Sequence, residues 1–560
     1  MGHIMNYALE YPEKTMYQMI KDISQKYPTA PAYEFYNKTT CFKDFVNEID
    51  QVAAALYKQG IRKGDAVTVC MPNMPQALSC FYAINKIGAI ANMIHPLSAE
   101  GSITFYLNIS ESKMILTLDQ FYEKVDSALK EVDHPVTIMV TRVQEKLPLY
   151  LKLPYTLTSG KKHLKYPNTP NGIKWVDMMK DCSEDVPVAE FDMNRTTVIL
   201  YSGGTSGTPK GICLTDFNMN ALAIQCVAAI REKLGPGLKM LSCMPMFHGF
   251  GLGVNIHTAL IYGAECVLMP TFNIKTYANM IAKKKPNFIA GVPTIFEALL
   301  HMPQLEKVKL DFLKGVFCGG DSLSIELKKK VDAFLEEHGA TIRIQQGYGL
   351  TECVTASCLT PYDREKEGSI GLPLRDMKCA IVMPGTEDVL PPNTEGEIIM
   401  AGPTLMLGYL KNPEETAQTL KTMPDGNIWL YTGDLGRMDE DGFIYFSQRI
   451  KRMIITNGYN VYPGQLENVI DSVPEVAYSC VIGVKDERRG QRVRAYVVLR
   501  DGVETDESME AKIMEILKKN IDSYALPKEI VFRDELPKTL VGKVFYRQLE
   551  EEANKEAEGR

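Results

Sequence analysis

From Phe42 to Cys318 the chain alternates helical patterns with short apolar, β-branched runs, and this alternation constrains the fold more than any other feature. Phe42 to Gln59 carries apolar residues at helical spacing and stops at Gly60. Asp65-Ala-Val-Thr-Val-Cys70 reads as a strand, Pro72 to Lys86 as a helix, and Lys113-Met-Ile-Leu-Thr117 as a strand. Glu265-Cys-Val-Leu-Met269, Phe288-Ile-Ala290 and Gly315-Val-Phe-Cys318 repeat the theme, each flanked by helical sequence. Apolar strands joined by helices pack as stacked α/β layers with largely parallel sheets. After Gly371 the texture changes to Glu397-Ile-Ile-Met, Gly408-Tyr and Phe443-Ile-Tyr-Phe446, punctuated by Gly, Pro and Asp. That pattern predicts a small antiparallel, barrel-like unit. From Lys451 the order strand, helix, strand pair, helix predicts a compact α/β appendage of about 110 residues. A frayed, solvated helix is expected for the Glu- and Lys-rich end.

One loop stands out chemically: Tyr201-Ser-Gly-Gly-Thr-Ser-Gly-Thr-Pro-Lys-Gly211 follows the apolar strand Thr196-Thr-Val-Ile-Leu200. Gly203, Gly204 and Gly207 let the backbone turn its N–H groups outward. Ser202, Thr205, Ser206 and the neighbouring Thr208 add hydroxyls, and Lys210 adds a point charge for phosphate oxygens. The order differs from a Walker loop, because Pro209 precedes the lysine and Gly211 follows it. On its own such a stretch also reads as a flexible surface loop.

Further segments share its character. Gln345-Gln-Gly-Tyr-Gly-Leu-Thr-Glu352 follows a strand predicted over Thr341 to Ile344, and sets Tyr348 between Gly347 and Gly349 so that its ring can lie against a base. Thr351 and Glu352 place a hydroxyl beside a carboxylate, suited to a phosphate and to a hard cation such as Mg²⁺. Tyr431-Thr-Gly-Asp434 puts a carboxylate at a tight turn, able to accept from both hydroxyls of a ribose. Pro537-Lys-Thr-Leu-Val-Gly-Lys543 presents a lysine on a glycine loop. Singly, each has an ordinary reading as a turn or a solvated lysine.

The net charge of −7 argues against nucleic acid as the main partner. Thirteen cysteines lie scattered without a Cys-x-x-Cys pair or zinc-ligand spacing, which predicts free thiols in a reducing compartment. The start, Met1-Gly-His-Ile-Met-Asn6, shows no signal pattern, and Asn6 stands where myristoylation needs Ser or Thr. Ala77 to Ile94 is interrupted by Asn85, Lys86, Gly88 and Asn92 and reads as a buried helix and turn rather than a membrane span. A cytoplasmic protein is expected.

Taken in order, these motifs resemble the adenylate-forming superfamily of acyl-CoA synthetases, peptide-synthetase adenylation domains and beetle luciferases, from about residue 30 to about residue 550. Bacterial fatty acid–CoA ligases are the most similar branch. The resemblance implies an adenylation domain over 1–449 and a lid domain over 450–560 that rotates about Lys451. It implies that Ser202 to Lys210 hold the phosphates of ATP, with Thr205 and Lys210 in catalytic roles. Gly319-Gly320-Asp321-Ser322 would lie against the adenine, Tyr348 would stack on it, and Thr351 would touch the α-phosphate. Glu352 would hold Mg²⁺, Asp434 and Arg449 the ribose, and Lys543 would be the catalytic lysine. Asn457, Gly458, Tyr459 and Asn460 would line the tunnel for the thiol arm of coenzyme A. Three positions depart from the family pattern: Asp321, where alanine is common, Gln448, which replaces glycine or aspartate, and Arg452, which replaces an acid after the hinge.

The same resemblance places His248, Phe250 and Gly251 of Pro245-Met-Phe-His-Gly-Phe-Gly-Leu-Gly253 at one wall of an acyl pocket. Val292, in Gly291-Val-Pro-Thr294, would stand at another. A core histidine is the plain alternative for His248. Gly249, Gly251 and Gly253 keep side chains away, which predicts a deep apolar cavity. No acid occurs between Phe247 and Tyr262 to pair an amine, so a neutral acid is favoured over an amino acid. The basic, apolar stretch over 146–165 suggests contact with an anionic membrane surface, or simply a packed loop with solvated lysines. The expected activity is ATP-dependent activation of a medium- or long-chain fatty acid and its transfer to coenzyme A, by a monomer or homodimer. Aryl-acid ligation, loading of a carrier protein and a luciferase-like activity are the alternatives.

Overall fold

The computed structural model describes residues 7–158, 172–180, 182, 185–202, 209–456, 459–486, 488–500, 502–503, 505–539 and 544–558. Two large sheets organise everything before residue 372. One has nine strands, and its central run Ile344–Tyr348, Gly315–Cys318, Phe288–Gly291, Lys239–Ser242 and Glu265–Leu268 is parallel. The other has eight, with Val198–Ser202, Ile90–Met93, Ala66–Cys70, Met114–Leu118 and Thr137–Thr141 parallel. Parallel strands need crossover helices, and these supply the layers between and outside the sheets. Helix Pro75–Lys86 is buried at every residue, which accounts for its nearly continuous apolar sequence. It packs with Phe42–Lys58 and with strand residues of both sheets in one continuous core. Thr15 and Thr215 close capping boxes on the helices Met16–Lys26 and Asp216–Ala229, fixing where each begins.

The strands predicted before Cys318 stand within a few residues of their expected bounds. Near the site the outcome differs. The strand predicted over Thr341 to Ile344 instead spans Ile344–Tyr348, so Gly347 and Tyr348 belong to the sheet rather than to a loop. Gly347 faces Leu359 and Tyr348 faces Cys358 across an antiparallel pair, and that pairing extends the strand.

The antiparallel unit is a five-stranded sheet in which the long strand Ile428–Met438 pairs with Gly396–Ala401, Leu420–Thr422 and Ile444–Arg449. The last segment forms another five-stranded sheet, flanked by helices Pro463–Asp471, Glu507–Asn520 and Tyr546–Glu558. Its cores draw on residues 454 to 553 alone. The terminal helix is more than a solvated tail. Leu549 and Ala553 are fully buried against the strand Val476–Asp486, because their i, i+4 spacing puts both on one face.

All thirteen cysteines are free. Among the described residues no helix is long and apolar enough to cross a membrane.

Candidate active site

Two paired strands flank the segment expected to hold phosphate. Val198–Ser202 pairs antiparallel with Lys210–Leu214, and Ser202 stands opposite Lys210. Residues Gly203, Gly204, Thr205, Ser206, Gly207 and Thr208 lie outside the described set. Lys210 ion-pairs with Glu415 and sits 4.9 Å from the centroid of the Tyr409 ring. The Tyr409 hydroxyl donates to Glu352 Oε1 at 2.9 Å. Tyr409 reaches this place because Gly408–Tyr409 adds a short strand beside Lys210–Leu214, with Tyr409 opposite Ile212. The backbone N–H of Met406 donates to Glu352 O at 2.8 Å and fixes the same approach. Sequence reasoning missed Tyr409 and Glu415. The Gly408-Tyr409 dipeptide was the available signal, since Gly408 takes a φ of 150° and a Cβ there would lie 2.7 Å from Thr416 Cγ2.

A second cluster joins the strand Ile344–Tyr348 to the antiparallel unit. Asp434, 2% exposed, accepts from the Tyr348 hydroxyl through Oδ2 at 2.7 Å. Its Oδ1 lies 3.4 Å from Arg449 Nε, and the two residues face each other in the ladder. Partial desolvation lowers the Arg449 pKa, but Asp434, Tyr348, Glu352 and Tyr546 together raise it by more, so the guanidinium stays charged. Burial and the Asp434 carboxylate hold the Tyr348 phenol well above its usual range, so it remains a donor. The ring of Tyr348 leans on Phe446 at 5.9 Å. Neighbouring Glu397 accepts from Gly433 N–H at 2.9 Å, and its burial raises its pKa. Gly319 faces Gly347 so closely that a Cβ would lie 3.2 Å from the Gly347 carbonyl oxygen and 3.9 Å from Phe250. Gly320 turns with a φ of 83°. Exposed Asp321 accepts from the N–H of Ser322 at 2.9 Å, which uses its carboxylate to cap its own turn.

The glycine-rich segment expected to line the acyl pocket packs on Val354, just after Thr351–Glu352. His248 is half-buried, and its Nδ1 accepts from Phe250 N–H at 3.2 Å. The core histidine of this region is His257 instead. It is fully buried between Tyr82, 3.1 Å away, and Asn220, 2.9 Å away. Burial pulls its pKa down to about 3, so it is neutral. Phe250–His257 winds as a π-helix, a rare form found mainly at functional sites. The glycines correct an expectation. A Cβ on Gly249 would lie 1.7 Å from Val354 O, one on Gly251 2.0 Å from Pro245 O, and one on Gly253 2.6 Å from Leu222 Cδ2. They permit close packing rather than opening a deep cavity. Val292 is buried and caps the helix Pro293–Leu299.

Val354 itself takes φ 65° and ψ −53°, while Thr355 N–H donates to Cys353 O at 2.8 Å. This is the classic γ-turn geometry, strained for any L-residue and most of all for a β-branched one. Such strain costs about 1–3 kcal/mol and persists only where the surroundings over-determine it.

The departures on either side of Arg449 have definite surroundings. Arg452 ends the single turn Ile450–Arg452 and donates to Glu467 Oε1 at 2.6 Å and to Val481 O at 3.2 Å. Its guanidinium also lies 4.8 Å from the Tyr546 ring centroid. Arg452 is thus fastened to three elements of the C-terminal unit. Gln448 is 2% exposed, and neither of its amide atoms has a hydrogen-bond partner among the described residues. The side chains of Lys451 and Tyr459, and the whole of Asn457, Gly458 and Lys543, lie outside the described residues.

Among the described residues no three His, Cys, Asp or Glu side chains form a metal cluster. Glu352 offers one hard oxygen donor beside hydroxyls, which fits Mg²⁺ held mainly by substrate phosphates and water.

Residues 20–410 match the model of the AMP-binding enzyme family, and residues 465–543 match that of the AMP-binding enzyme C-terminal domain. The chain belongs to the AMP-binding enzyme family. It is 35% identical, over 98% of its length and 96% of the relative's, to a long-chain-fatty-acid–CoA ligase of Bacillus subtilis. It is 29% identical to 4-coumarate–CoA ligase 2 of Nicotiana tabacum, over 89% and 86% of the two chains. Among solved structures it resembles ATP-bound MatB from Rhodopseudomonas palustris, with a TM-score of 0.83 at 23% identity, covering 96% and 99%. It also resembles the anthranilate CoA ligase AuaEII in complex with anthranoyl-AMP, with a TM-score of 0.84 at 22% identity, covering 98% of each. As AMP-binding enzymes share their fold, the mixed α/β layers and smaller C-terminal unit follow that pattern.

Proposed function

We propose that this enzyme activates a medium- or long-chain fatty acid with ATP and transfers the acyl group to coenzyme A. The observation that carries this reading is the meeting of two clusters, Lys210–Tyr409–Glu352 and Tyr348–Asp434–Arg449, against the acyl segment at Gly249 and Phe250. The full-length similarity to a fatty-acid ligase supports the substrate class.

The carboxylate of the acid attacks the α-phosphorus of ATP, the bond to pyrophosphate breaks, and an acyl-adenylate forms. Asp434 and Arg449 hold the ribose, Tyr348 holds the base, and Thr351 meets the α-phosphate. Lys210 and Lys543 offset the charge of two approaching anions, an electrostatic rather than acid–base role. Mg²⁺, when bound at Glu352, neutralises further phosphate charge. The lid, residues 450–560, then turns about Lys451. Asn457, Gly458 and Tyr459 guide the thiol to the acyl carbon, and AMP leaves. The phosphate loop from Ser202 through Thr208 cradles the β- and γ-phosphates in the first step.

Acid collection at a membrane surface belongs to the same reading. The helix Leu149–Leu157 buries none of its residues and exposes Leu149, Tyr150, Leu153 and Leu157. Residues 146–176 carry six lysines and no acid in a chain of net charge −7. Lys161, Lys162 and Lys165 lie outside the described residues. Apolar side chains beside lysines suit an anionic interface.

Aryl-acid ligation is the second reading, favoured by the packed glycines, which leave less depth for a long chain. Measuring AMP formation with and without coenzyme A, over alkyl acids of increasing length and over cinnamate-type acids, decides between them. Rates rising with each methylene support the fatty acid reading. A preference for the aryl acids refutes it, and AMP release independent of coenzyme A refutes the thiol acceptor.

A further inference from the structure

The γ-turn at Val354 joins two segments with separate duties. Two residues before it stands Glu352, and three residues before it Thr351. On its other side its carbonyl oxygen occupies the space over Gly249, and its Cγ1 would lie 3.3 Å from a Cβ on Gly253. Val354 is fully buried, so the turn has no room to relax into solvent. It is pinned from several directions. Val354 N–H donates to Thr351 O at 3.0 Å, Cys353 N–H to Leu350 O at 3.1 Å, and Ser357 N–H to Tyr348 O at 2.8 Å. The Cys353 thiol accepts from the Ser357 hydroxyl at 2.9 Å and ties the same loop to itself. Gly349 completes the arrangement, since a Cβ there would lie 2.0 Å from Thr355 O.

A buried valine in this conformation needs a reason, and strain of this kind concentrates where geometry must be exact for function. The contacts supply one. The acyl segment touches the nucleotide segment through the Val354 carbonyl and side chain, so a shift of either is felt directly at this turn.

We propose that Val354 is a positioning residue that sets the acid carboxylate and the α-phosphate of ATP in one register, by fixing the acyl segment against Thr351–Glu352. The proposal rests on the acid-activating reading above. It concerns the first step alone. In-line attack on phosphorus needs both segments aligned, whereas thiol attack on a finished adenylate takes place after pyrophosphate has left.

Two substitutions perturb this contact from opposite sides. Val354→Gly relaxes the turn, because glycine adopts positive φ without strain. Gly249→Ala pushes a methyl group against the same carbonyl. Each variant, shown to be folded by circular dichroism and thermal melting, is assayed in both half-reactions. Adenylate formation is followed by pyrophosphate release with dodecanoate and ATP, and thioester formation starts from supplied dodecanoyl-adenylate and coenzyme A. The kcat for adenylate formation falls about 10- to 100-fold, the scale of a misplacement near 1 Å. Thioester formation stays within about threefold of wild type, well below that scale. Val354→Thr, which keeps the β-branched shape, retains the wild-type ratio of the two rates. Equal losses in both half-reactions overturn the proposal, as does near-wild-type adenylate formation in folded Val354→Gly. Wild-type protein that forms no adenylate with any acid overturns the acid-activating reading instead.

Discussion

Replacing Asp434 by asparagine removes one charge from a buried site and little else. The side chain keeps its size, and its amide oxygen still accepts from the Tyr348 hydroxyl, which now stands 2.7 Å from Oδ2. Arg449 loses an ion pair but is nearly half exposed, so water compensates much of that loss. The change falls on the ribose. A hydrogen bond to a charged group contributes about 1.5–3 kcal/mol, against about 0.5–1.5 for a neutral pair. For the wild type, 2′-deoxy-ATP lacks one hydroxyl at a carboxylate that is 2% exposed, and should lose about 10- to 150-fold in kcat/KM. For Asp434→Asn the same deletion should cost only about 2- to 13-fold. The assay is pyrophosphate release with ATP and with 2′-deoxy-ATP for both proteins. If Asp434→Asn discriminates between the nucleotides as strongly as the wild type does, the carboxylate does not hold the ribose.

Four further outcomes follow from particular residues. Lys543→Ala should lower adenylate formation by about 10²–10³ while sparing thioester formation from supplied acyl-adenylate; parallel losses would remove its first-step role. His257, with a folded pKa of about 3 against about 6.5 unfolded, leaves the unfolded chain to take up the proton between those values, so stability falls as pH drops below 6.5. At pH 5 the loss is about 2 kcal/mol relative to pH 7, and thermal melts of a non-titrating His257→Gln variant should lack that component. Gln448→Met should raise the melting temperature, because it removes a buried amide that has no partner among the described residues, which costs about 1–3 kcal/mol; a lower melting temperature would refute this. Arg500 pairs with Glu297 at 2.8 Å between the C-terminal unit and the helix Pro293–Leu299. This half-buried bridge contributes about 0.5–1 kcal/mol, so Glu297→Gln should shift the ratio of the two half-reaction rates by about two- to fivefold. An unchanged ratio would show that the pair does not bias the C-terminal unit between the two steps.

The layered α/β class, the antiparallel unit and the C-terminal appendage were legible in the sequence, because apolar periodicity follows from which faces of a strand or helix are buried. Ser202–Lys210, Thr351–Glu352 and Asp434 stood out in the sequence as candidates, since phosphate and ribose binding gathers its donors within a few consecutive residues. What lies beside those residues was not. Glycines at 249, 251 and 253 look alike whether they border a cavity or a carbonyl, and only the packed Val354 turn and Leu222 decide which. Tyr409 reaches Glu352 from 57 positions away through a strand of two residues. His257, rather than His248, became the core histidine because the π-helix turned it toward Tyr82 and Asn220. Arg452 was only a departure from the family pattern until Glu467 and Val481 supplied its partners. A sequence states what each side chain can do, through its charge, volume and hydrogen-bonding groups. Which neighbour fills the space around it depends on close packing between segments far apart in the chain, and that is settled only when the whole core has folded.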